Sequence, residues 1–473
     1  MTKAGRIIAL TSIIILFAVS LTDKALKYSD IPQFVFEYKK NDNGGITITD
    51  YIGKKTDLII PDKIKKLPVT EISYMGNNHK LKSVIISENV KKISDWAFFN
   101  CSELEYIDIP ESVEYIGEGA FIRTPFEENL GDDDFIIIND KILYKYDGNS
   151  ENITIPDGVQ SICSNVFTSK NIRSVKIPES VEYIGRGAFS ECKNLEIINI
   201  PENVKSIEPY VFAECDSLSD ISLSDETEKI GYASFYGSGI ENIKIPDKIT
   251  EIPESAFENC SSLENIILSD NIKNINKKAF QNCTSLENIK FPENLENIED
   301  NAFSETALKE IILPESISVL GNHAFRECTY AEKIKLSSNL KTISIECFDG
   351  CKSFTEIEIP EGIETIEMNA FQNNSSLKHV RLPDSLKSID LNAFAKSNIE
   401  SVFIPDNVEY FNRQAFLNDT EKSPVTLMCT ENCLAIKDLE DAEHWRVWND
   451  YELKIVNSRD EAEKFISNSS ERR

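Results

Sequence analysis

Apolar and polar residues alternate over short stretches that recur with a period of about 23 residues along most of the chain. In the copy at residues 195–217, Ile198 and Ile200 alternate with polar neighbours. This alternation is typical of a strand with one buried face. Pro201 follows and ends the strand, because proline lacks the N–H group that a sheet requires. Each copy therefore begins with a short strand, called the main strand below.

A second, shorter apolar segment and a turn complete each copy. Val204 and Ile207 predict a second strand behind the first, and Tyr210–Cys215 predicts a turn or short helix whose Phe212 points inward. The equivalent residue, called the marker phenylalanine, recurs at steps that differ by at most one residue, apart from one longer step between the second and third markers. The markers are Phe98, Phe121, Phe167, Phe189, Phe212, Phe235, Phe257, Phe280, Phe303, Phe325, Phe348, Phe371, Phe394 and Phe416.

A fixed period of this length predicts a solenoid of stacked repeats rather than several globular domains. Neither strand of a copy can bury its apolar side alone, so stacking must place isoleucine on isoleucine and phenylalanine on phenylalanine. Each copy is called a rung below. About thirteen rungs spaced by about 4.8 Å would form a parallel sheet. Such a molecule offers a long exposed surface for binding rather than a catalytic cleft.

The N-terminal end and the long step depart from the repeat. Residues 21–74 predict a β-rich N-terminal cap, because the end of a solenoid must cover its core. The long step contains an insert at about residues 125–152, in which residues 135–146 predict a hairpin between rungs. The preceding Asp132, Asp133 and Asp134 are interpreted as a solvated loop, since calcium would need further regularly spaced oxygen ligands.

The rungs end near residue 420, and residues 421–473 predict a C-terminal cap and tail. Val425–Met428 and Tyr451–Val456 are predicted to be strands, and Glu431–Trp445 to be a helix between them. The residues after Val456 are polar and are expected to fray. The repeat region itself therefore covers residues 75–420.

Residues 1–20 have the composition of a secretory signal peptide. Lys3 and Arg6 precede an apolar run, Ile7–Val19, that is short for a membrane span, and small residues follow it. Cleavage would fall before Leu21. The alternative is an uncleaved membrane anchor. We expect a secreted, extracellular protein, associated with a cell surface or free, that is monomeric and has no membrane span after cleavage.

Seven of the eleven cysteines lie three positions after a marker phenylalanine. Other rungs hold Thr124, Ser238, Thr306, Asn374 or Ser397 there, so the position favours a small side chain that bonds to nearby backbone. We therefore predict buried thiols rather than disulfides or metal ligands. Cys429 and Cys433 lie outside this pattern and are the better candidates for a disulfide, while Cys163 and Cys347 are interpreted as core residues.

Charge and motifs exclude several classes of function. The formal net charge of −29 argues against binding the nucleic-acid backbone. The four histidines share no local motif, and no metalloprotease, serine-hydrolase, P-loop or dinucleotide-binding motif occurs. The sequence therefore predicts a protein that is not an enzyme and needs no cofactor or metal.

Runs such as IPESVEYIGRGAFSECKNLEIINIPENV, residues 177–204, resemble the BspA-like, bacterial surface-antigen type of leucine-rich repeats. The resemblance covers about residues 75–420 and departs locally, for example where Val166 replaces the alanine before Phe167. It implies a leucine-rich-repeat solenoid of β-rich α/β class, a curved right-handed array with caps at both ends. Its parallel β-sheet would line the concave face, with short strands, turns and helical pieces on the convex side. The resemblance also implies contacts with host proteins, microbial surfaces or polysaccharides.

The outward positions of the main strands carry amide, ammonium and apolar groups, whereas most of the net charge lies elsewhere. An extended protein or a glycan suits such a face. The alternative is that mixed charges merely pair across strands and keep the sheet soluble. The predicted ligand-facing residues are Asn242, Lys244, Asn265, Ile267, Asn288, Lys290, Ile312, Lys335, His379 and Arg381.

The sequence favours a recognition or adhesion protein that binds a protein or glycan through the concave face. A structural spacer or assembly component of the cell surface without a specific ligand is the alternative. A hydrolase within the caps is a third hypothesis, which turnover of a substrate by residues 421–473 alone would support.

Overall fold

The computed structural model of the chain describes residues 35–417, 424–435 and 451–470. The predicted signal peptide and most of the helix expected at Glu431–Trp445 lie outside the described residues. Within them the chain is a β-solenoid built of short parallel strands and tight turns, as the period predicts.

Most strands contain only two or three residues, and they alternate along the chain between the two positions of a rung. The first are β1 (Phe36–Lys40), β2 (Ile46–Tyr51), β3 (Asp57–Ile59), β4 (Lys63–Ile64), β5 (Leu67–Ile72), β6 (Ser83–Ile85), β7 (Lys92–Ile93), β8 (Tyr106–Asp108), β9 (Tyr115–Ile116), β10 (Phe135–Ile138), β11 (Ile142–Tyr146), β12 (Asn152–Thr154) and β13 (Ser161–Ile162). A single-turn helix, α1 (Pro125–Glu128), precedes β10.

The remaining strands continue the alternation. They are β14 (Ser174–Lys176), β15 (Tyr183–Ile184), β16 (Ile197–Ile198), β17 (Ser206–Ile207), β18 (Lys229–Ile230), β19 (Asn242–Lys244), β20 (Glu251–Ile252), β21 (Asn265–Ile267), β22 (Asn274–Ile275), β23 (Asn297–Ile298), β24 (Glu310–Ile312), β25 (Val319–Leu320), β26 (Lys333–Lys335), β27 (Thr342–Ile343), β28 (Glu356–Glu358), β29 (Thr365–Ile366), β30 (His379–Arg381), β31 (Ser388–Ile389), β32 (Ser401–Phe403), β33 (Tyr410–Phe411), β34 (Val425–Cys429) and β35 (Tyr451–Ile455). The helix α2 (Arg459–Ser470) follows them.

The first of two compact units comprises the chain up to Asn149 together with Asp157–Val166. Its main strands β3, β6 and β8 pair in parallel, and a second parallel sheet has the order β2-β5-β7-β9. The antiparallel strand β1 covers the start of the second sheet by pairing with β2. The strands predicted for the N-terminal cap are thus present, and Gly44 adopts a positive φ of 76° in the turn that joins β1 to β2.

The predicted hairpin at residues 135–146 is present as the antiparallel pair β10–β11, but its interpretation as an insert between rungs was wrong. Strand β11 pairs in parallel with β13, as the second strand of a rung does. Tyr144 lies midway in sequence between Phe121 and Phe167, and its ring centroid is 5.5 Å from that of Phe121. The long step therefore contains one further rung, in which the ring of Tyr144 packs on that of Phe121 from within β11 and α1 stands where a main strand would lie.

The second unit comprises Ser150–Pro156 and the chain from Phe167 onward. Its strands pair in parallel one rung apart, so that Ile243 faces Ile266 on the main strands and Ile252 faces Ile275 on the second strands. The inward residues of these strands form a continuous core of isoleucine, leucine and valine. The alternation of buried and exposed residues is the one that the sequence predicts.

The marker phenylalanines are buried and stack ring over ring in the second unit. From Phe167 to Phe416, the centroids of consecutive rings are 4.9 to 5.9 Å apart. Full burial of a large apolar side chain stabilises the folded state by about 1.5–3 kcal/mol, and aromatic contacts add about 0.5–1.5 kcal/mol. The phenylalanine column is therefore a main source of cohesion between rungs.

The cysteines confirm the prediction of buried thiols that bond to backbone. All eleven are buried and present as thiols, Cys429 and Cys433 included, so the disulfide suggested for that pair does not form in this structure. In the second unit, each cysteine that follows a marker donates its S–H to the carbonyl oxygen of the marker one rung earlier. These donors are Cys192, Cys215, Cys260, Cys283, Cys328 and Cys351, with S···O distances of 2.9 to 3.2 Å.

The C-terminal end combines a confirmed prediction with a correction. Strands β32, β34 and β35 pair in parallel, as the cap pattern predicts. Residues 459–470 do not fray, because they form α2, and Ser458 accepts a hydrogen bond from the N–H of Glu461 in its first turn. Ala462 and Ile466 lie on one side of α2 and pack against Phe403 and Met428.

Candidate binding face

The outward positions of the main strands in the second unit, from residue 219 to residue 403, form the candidate binding face. Each main strand turns its middle residue into the core and its flanking residues to solvent, because successive side chains of a strand point to opposite sides. Asn242 and Lys244 are thus exposed on β19, and Asn265 and Ile267 on β21, while Ile243 is buried. These four predicted residues face outward for this reason.

Asparagines on adjacent strands bond to each other across the face. The Nδ2 of Asn265 donates to the Oδ1 of Asn242 at 2.8 Å, along the in-register pair of β19 and β21. This bond uses one donor and one acceptor, so each amide keeps further hydrogen-bonding capacity toward solvent. Asn288 is exposed on the next rung, although residues 287–290 do not form a regular strand. The face therefore presents a row of amides.

A recess of about 450 Å³ lies beside this row. The rung at residues 218–223 does not form a main strand, and only an isolated bridge joins Asp220 to Asn242. Ser224 stands where most rungs have proline, and Ser222 presents a small outward side chain. Because the outward side chain of Ser222 is small, the recess lies beside the larger side chains of Lys244 and Ile267. Its lining is Asp220, Ile221, Ser222, Leu223, Asp225, Asn242, Ile243, Lys244, Asn265 and Ile267.

The rim of the recess carries both charged and apolar groups. The Nζ of Lys244 lies 3.5 Å from the Oδ1 of Asp225, and both side chains remain largely exposed. An ion pair between such exposed groups contributes little stability, so it can open at low cost when a ligand binds. Ile267 is 63% exposed, which is high for an isoleucine. Amides, a carboxylate, an ammonium and an aliphatic surface thus surround one recess.

Other predicted residues lie farther along the face. Lys290 is exposed, Ile312 is half-buried and Lys335 is exposed, with the Nζ of Lys335 3.9 Å from the Oε1 of Glu315. The structure brings only Asn242, Lys244, Asn265 and Ile267 together around the recess. Asp220, Ser222 and Asp225 complete it and were not predicted. Serine in place of proline at residue 224 does not distinguish this irregular rung, because Ser269 and Ser337 occupy the same position after the regular strands β21 and β26.

His379 and Arg381 lie near the C-terminal helix instead. The Nε of Arg381 is 3.5 Å from the Oε1 of Glu463 on α2, and His379 is half-buried. Phe403 occupies an outward position of the next main strand, but it is buried because α2 covers it. The guanidinium of Arg459 lies 5.6 Å from the centroid of the Phe403 ring and donates to the Oδ1 of Asp384 at 2.5 Å. The helix therefore occupies this end of the face.

Within the part of the chain that the structure describes, there is no group of three or more histidine, cysteine, aspartate or glutamate side chains placed to hold a metal ion. Among the same residues, no helix is both long enough and apolar enough to cross a membrane.

Five overlapping stretches of the chain match the profile of the family described as "BspA type Leucine rich repeat region (6 copies)". They are residues 54–145, 136–264, 210–331, 250–353 and 296–423, which together span residues 54–423. No curated protein matches the chain.

Several solved structures are similar to the chain. A leucine rich cell surface protein from Faecalibacterium prausnitzii A2-165 is 25% identical with a TM-score of 0.40, over 82% of this chain and 97% of that one. A leucine-rich repeat protein from Bacteroides ovatus ATCC 8483 is 21% identical with a TM-score of 0.43, over 90% and 100%. The pneumococcal vaccine antigen PcpA is 17% identical with a TM-score of 0.35, over 90% and 98%.

Proposed function

Because this chain belongs to the BspA-type leucine-rich repeat family, we propose that it is a recognition or adhesion protein without catalytic activity. It binds an extended protein or a glycan through the candidate binding face. The observation that carries this proposal is the recess beside Asn242 and Asn265, where amide, carboxylate, ammonium and aliphatic groups meet. Function follows from these groups rather than from the fold, since solenoids of one architecture serve many partners.

The mixture of groups favours a partner with many hydrogen-bonding atoms. Side-chain amides both donate and accept, so they match a peptide backbone or sugar hydroxyls equally well. Exposed Ile267 adds an apolar contact that excludes water next to those bonds. The residues proposed to contact the ligand are Asn242, Lys244, Asn265, Ile267, Asn288, Lys290, Ile312, Lys335, His379 and Arg381.

The location of the protein belongs to the same proposal. The charged start and apolar run of residues 1–20 support export, and the strongly negative net charge supports solubility outside the cell. We propose a secreted protein, held at a cell surface or free, that acts as a monomer and meets proteins or polysaccharides of host or microbial origin.

A charge-reversal variant tests the binding face. Capture of surface proteins and immobilised polysaccharides by the purified chain identifies partners, and each partner is then measured with a variant in which Lys244, Lys290 and Lys335 are glutamate. We expect at least a tenfold loss of affinity for a partner of the face, because the ammonium groups are replaced by repulsive carboxylates. A second variant, Ser222→Trp, fills the recess and should weaken the same partner.

The chain offers a matched control at or next to the second strands. Lys205, Lys229 and Lys273 are also exposed, and their joint change to glutamate alters the net charge by the same amount. Equal losses in both lysine variants would show that total charge, and not the face, governs binding. Unchanged binding in the face variants for every partner would favour the alternative function, a spacer whose repeats only provide length.

A further inference from the structure

Four rungs of the second unit are one residue shorter than the others. The step to the next marker is one residue shorter after Phe167, Phe235, Phe303 and Phe394 than after the other markers of this unit. The missing residue lies between the marker and the next main strand. Four residues separate Phe303 from Leu308, whereas five separate Phe325 from Ala331. These four are called short rungs below, and none has cysteine in the thiol position.

The short rung of Phe303 leaves a second recess, of about 490 Å³, on a different surface from the candidate binding face. The rungs of Phe280 and Phe325 on either side have full length, so their loops extend beyond the shortened loop between them. Ala307 lies at the floor and is buried. The recess is lined by Thr284, Glu305, Thr306, Ala307, Arg326, Glu327, Thr329 and Tyr330.

One wall of this recess is an aromatic ring that is available for contact. Tyr330 is 62% exposed, among the highest values for a large side chain in the described residues. An aromatic ring offers a flat apolar face together with a hydroxyl at its end, which suits ligands that are apolar on one side and polar at their edge. Thr284, Glu305 and Thr329 place hydroxyl and carboxylate oxygens in the same recess.

The charged groups of the recess are already partly neutralised. The Nε of Arg326 lies 3.4 Å from carboxylate oxygens of both Glu346 and Asp349, so the guanidinium does not provide an open anion site. The Oε2 of Glu327 lies 3.3 Å from the Nζ of Lys352. A basic peptide side chain would have to enter beside Arg326, which repels it. These contacts favour an uncharged ligand.

We propose that this recess binds a short neutral oligosaccharide. A pyranose ring places its C–H face on the ring of Tyr330, while its hydroxyls donate to the carboxylates of Glu305 and Glu327 and exchange hydrogen bonds with Thr284. Aromatic stacking and directed hydrogen bonds in one concave site are the features that fix a ligand of this size. The site is independent of the proposed function, which rests on another surface.

The chain contains its own comparison for this site. Phe235 lies three rungs before Phe303 and also begins a short rung. In that rung Gly237 stands in the position of Glu305, and Ser262 follows in the position of Tyr330. The shortened loop is therefore retained there while the aromatic and the carboxylate are absent. The change Tyr330→Ser converts the proposed site toward this natural counterpart.

Saturation-transfer NMR on the full chain tests the proposal, with cellotetraose and maltotetraose as probes at millimolar concentration. We expect transfer to at least one of them, an affinity at least tenfold weaker in Tyr330→Ser, and a severalfold loss in Glu305→Gln. Ser262→Ala should leave the affinity unchanged, whereas Lys244→Glu would lower it only if the saccharide binds at the candidate binding face. Thermal unfolding of every variant checks that each one remains folded.

Two results would overturn the proposal. One is the absence of transfer from the folded chain to either saccharide, including the case in which a tetralysine peptide binds instead. The other is saccharide binding that Tyr330→Ser and Ser262→Ala weaken equally, which would place the ligand elsewhere. Because Lys244→Glu is measured in parallel, failure of this site is distinguishable from failure of the candidate binding face.

Discussion

At the residue scale, a thiol in each of several turns acts as a hydrogen-bond donor inside the core. Cys260 donates to the carbonyl oxygen of Phe235 at 2.9 Å, and Cys192 donates to that of Phe167 at 3.1 Å. Burial raises the pKa of the Cys260 thiol to about 11 and that of Cys192 to about 12. Both thiols therefore remain protonated in the folded protein, and the donor is retained.

These raised pKa values predict a loss of stability at alkaline pH. An unfolded cysteine ionises near its ordinary pKa of 9.0, whereas Cys260 in the folded chain ionises near 11. Between these values the folded state binds more protons, so the thiol's contribution is complete below about pH 9 and is lost as pH rises to about 11. Each unit by which the folded value exceeds the unfolded one corresponds to about 1.4 kcal/mol.

Urea unfolding below and within this pH window measures the effect. The double variant Cys192→Ser/Cys260→Ser should depend less steeply on pH than the natural chain, because serine does not ionise. Ser238 occupies the same position in another rung, so the substitution is compatible with the turn. Identical pH dependences in the two chains would show that the thiols do not contribute to alkaline unfolding.

Two residues in most turns of the second unit adopt left-handed backbone conformations, one on each side of the marker phenylalanine. In the rung of Phe212 they are Tyr210, with φ of 61°, and Glu214, with φ of 56°. A left-handed residue other than glycine costs about 1–2 kcal/mol, and branching at Cβ adds to that cost. The stacked hydrogen bonds of the turns offset this cost, as when the N–H of Glu214 donates to the carbonyl of Tyr236.

Substitutions at Glu214 test this strain directly, since its side chain is exposed. We expect Glu214→Gly to raise the free energy of unfolding by up to about 1 kcal/mol, because glycine adopts this conformation without steric cost. Glu214→Ile should lower it by about 1–2 kcal/mol. Urea denaturation compares both with Glu214→Ala, and a variant order in which isoleucine is as stable as glycine would contradict the argument.

At the element scale, the hairpin β10–β11 shows how an irregular segment can take the place of a regular rung. Asn139 in its turn donates to the carbonyl oxygens of Ile109 and Pro110. The ring of Tyr144 packs on that of Phe121, and its hydroxyl donates to the Oε1 of Glu127 on α1 at 2.9 Å. The segment therefore builds a complete rung from a helix and two antiparallel strands.

Truncation of Tyr144 should therefore destabilise the first unit as truncation of a core phenylalanine would. We expect Tyr144→Ala to lower the free energy of unfolding by about 3–5 kcal/mol. Tyr144→Phe should lower it by about 1 kcal/mol, because only the hydrogen bond to Glu127 is lost. Urea unfolding followed by circular dichroism measures both. An alanine variant as stable as the natural chain would restore the interpretation of this hairpin as an insert between rungs.

The sequence predicted the elements better than their roles. Alternation and proline positions located the main strands, and the phenylalanine spacing located the turns, because these patterns are repeated. The rung of Tyr144 was missed because it lacks the phenylalanine-centred turn that marks the other rungs, although Tyr144 stands halfway through the long step. Helix α2 was missed because its apolar side is small and consists of Ala462 and Ile466. That side stabilises the helix by packing against Phe403, a tertiary contact that the local sequence does not show.

The candidate binding face was predictable only in part. Outward positions follow from strand alternation, so all ten residues could be named. The recess depends on a rung that fails to form a strand at residues 218–223, and such a failure depends on tertiary pairing rather than on local pattern. The second recess depends on a single missing residue, which is visible in the spacing but has meaning only when full-length rungs lie on both sides.

At the scale of the whole molecule, cohesion comes from contacts between neighbouring rungs. Phe280 stacks on Phe257 at 5.4 Å and on Phe303 at 5.1 Å between ring centroids. A solenoid of this kind behaves as a row of coupled units, each stabilised by its two neighbours. Damage to one rung should therefore weaken its surroundings more than distant rungs.

The variant Phe280→Ala tests this coupling in the middle of the second unit. We expect a local loss of about 3–5 kcal/mol and a broadened or two-step unfolding transition, because the row divides at the damaged rung. Hydrogen exchange should accelerate most in residues 257–303 and least near β14 and β32. Acceleration that is uniform along the unit would show instead that it unfolds as a single cooperative body.

The spacing of the short rungs limits how the number of rungs can change during evolution. Phe167, Phe235 and Phe303 open short rungs at equal intervals of three rungs. Between Phe167 and Phe303, three rungs are thus the smallest block whose duplication or deletion in the gene leaves the succession of long and short rungs intact, although the next short rung, at Phe394, follows after four. Recombination within the repeat would preserve the phenylalanine column and the hydrogen bonds of the thiols. It would change the length of the solenoid in steps of three rungs. Duplication and deletion can therefore change the length of the solenoid more easily than the structure of its rungs.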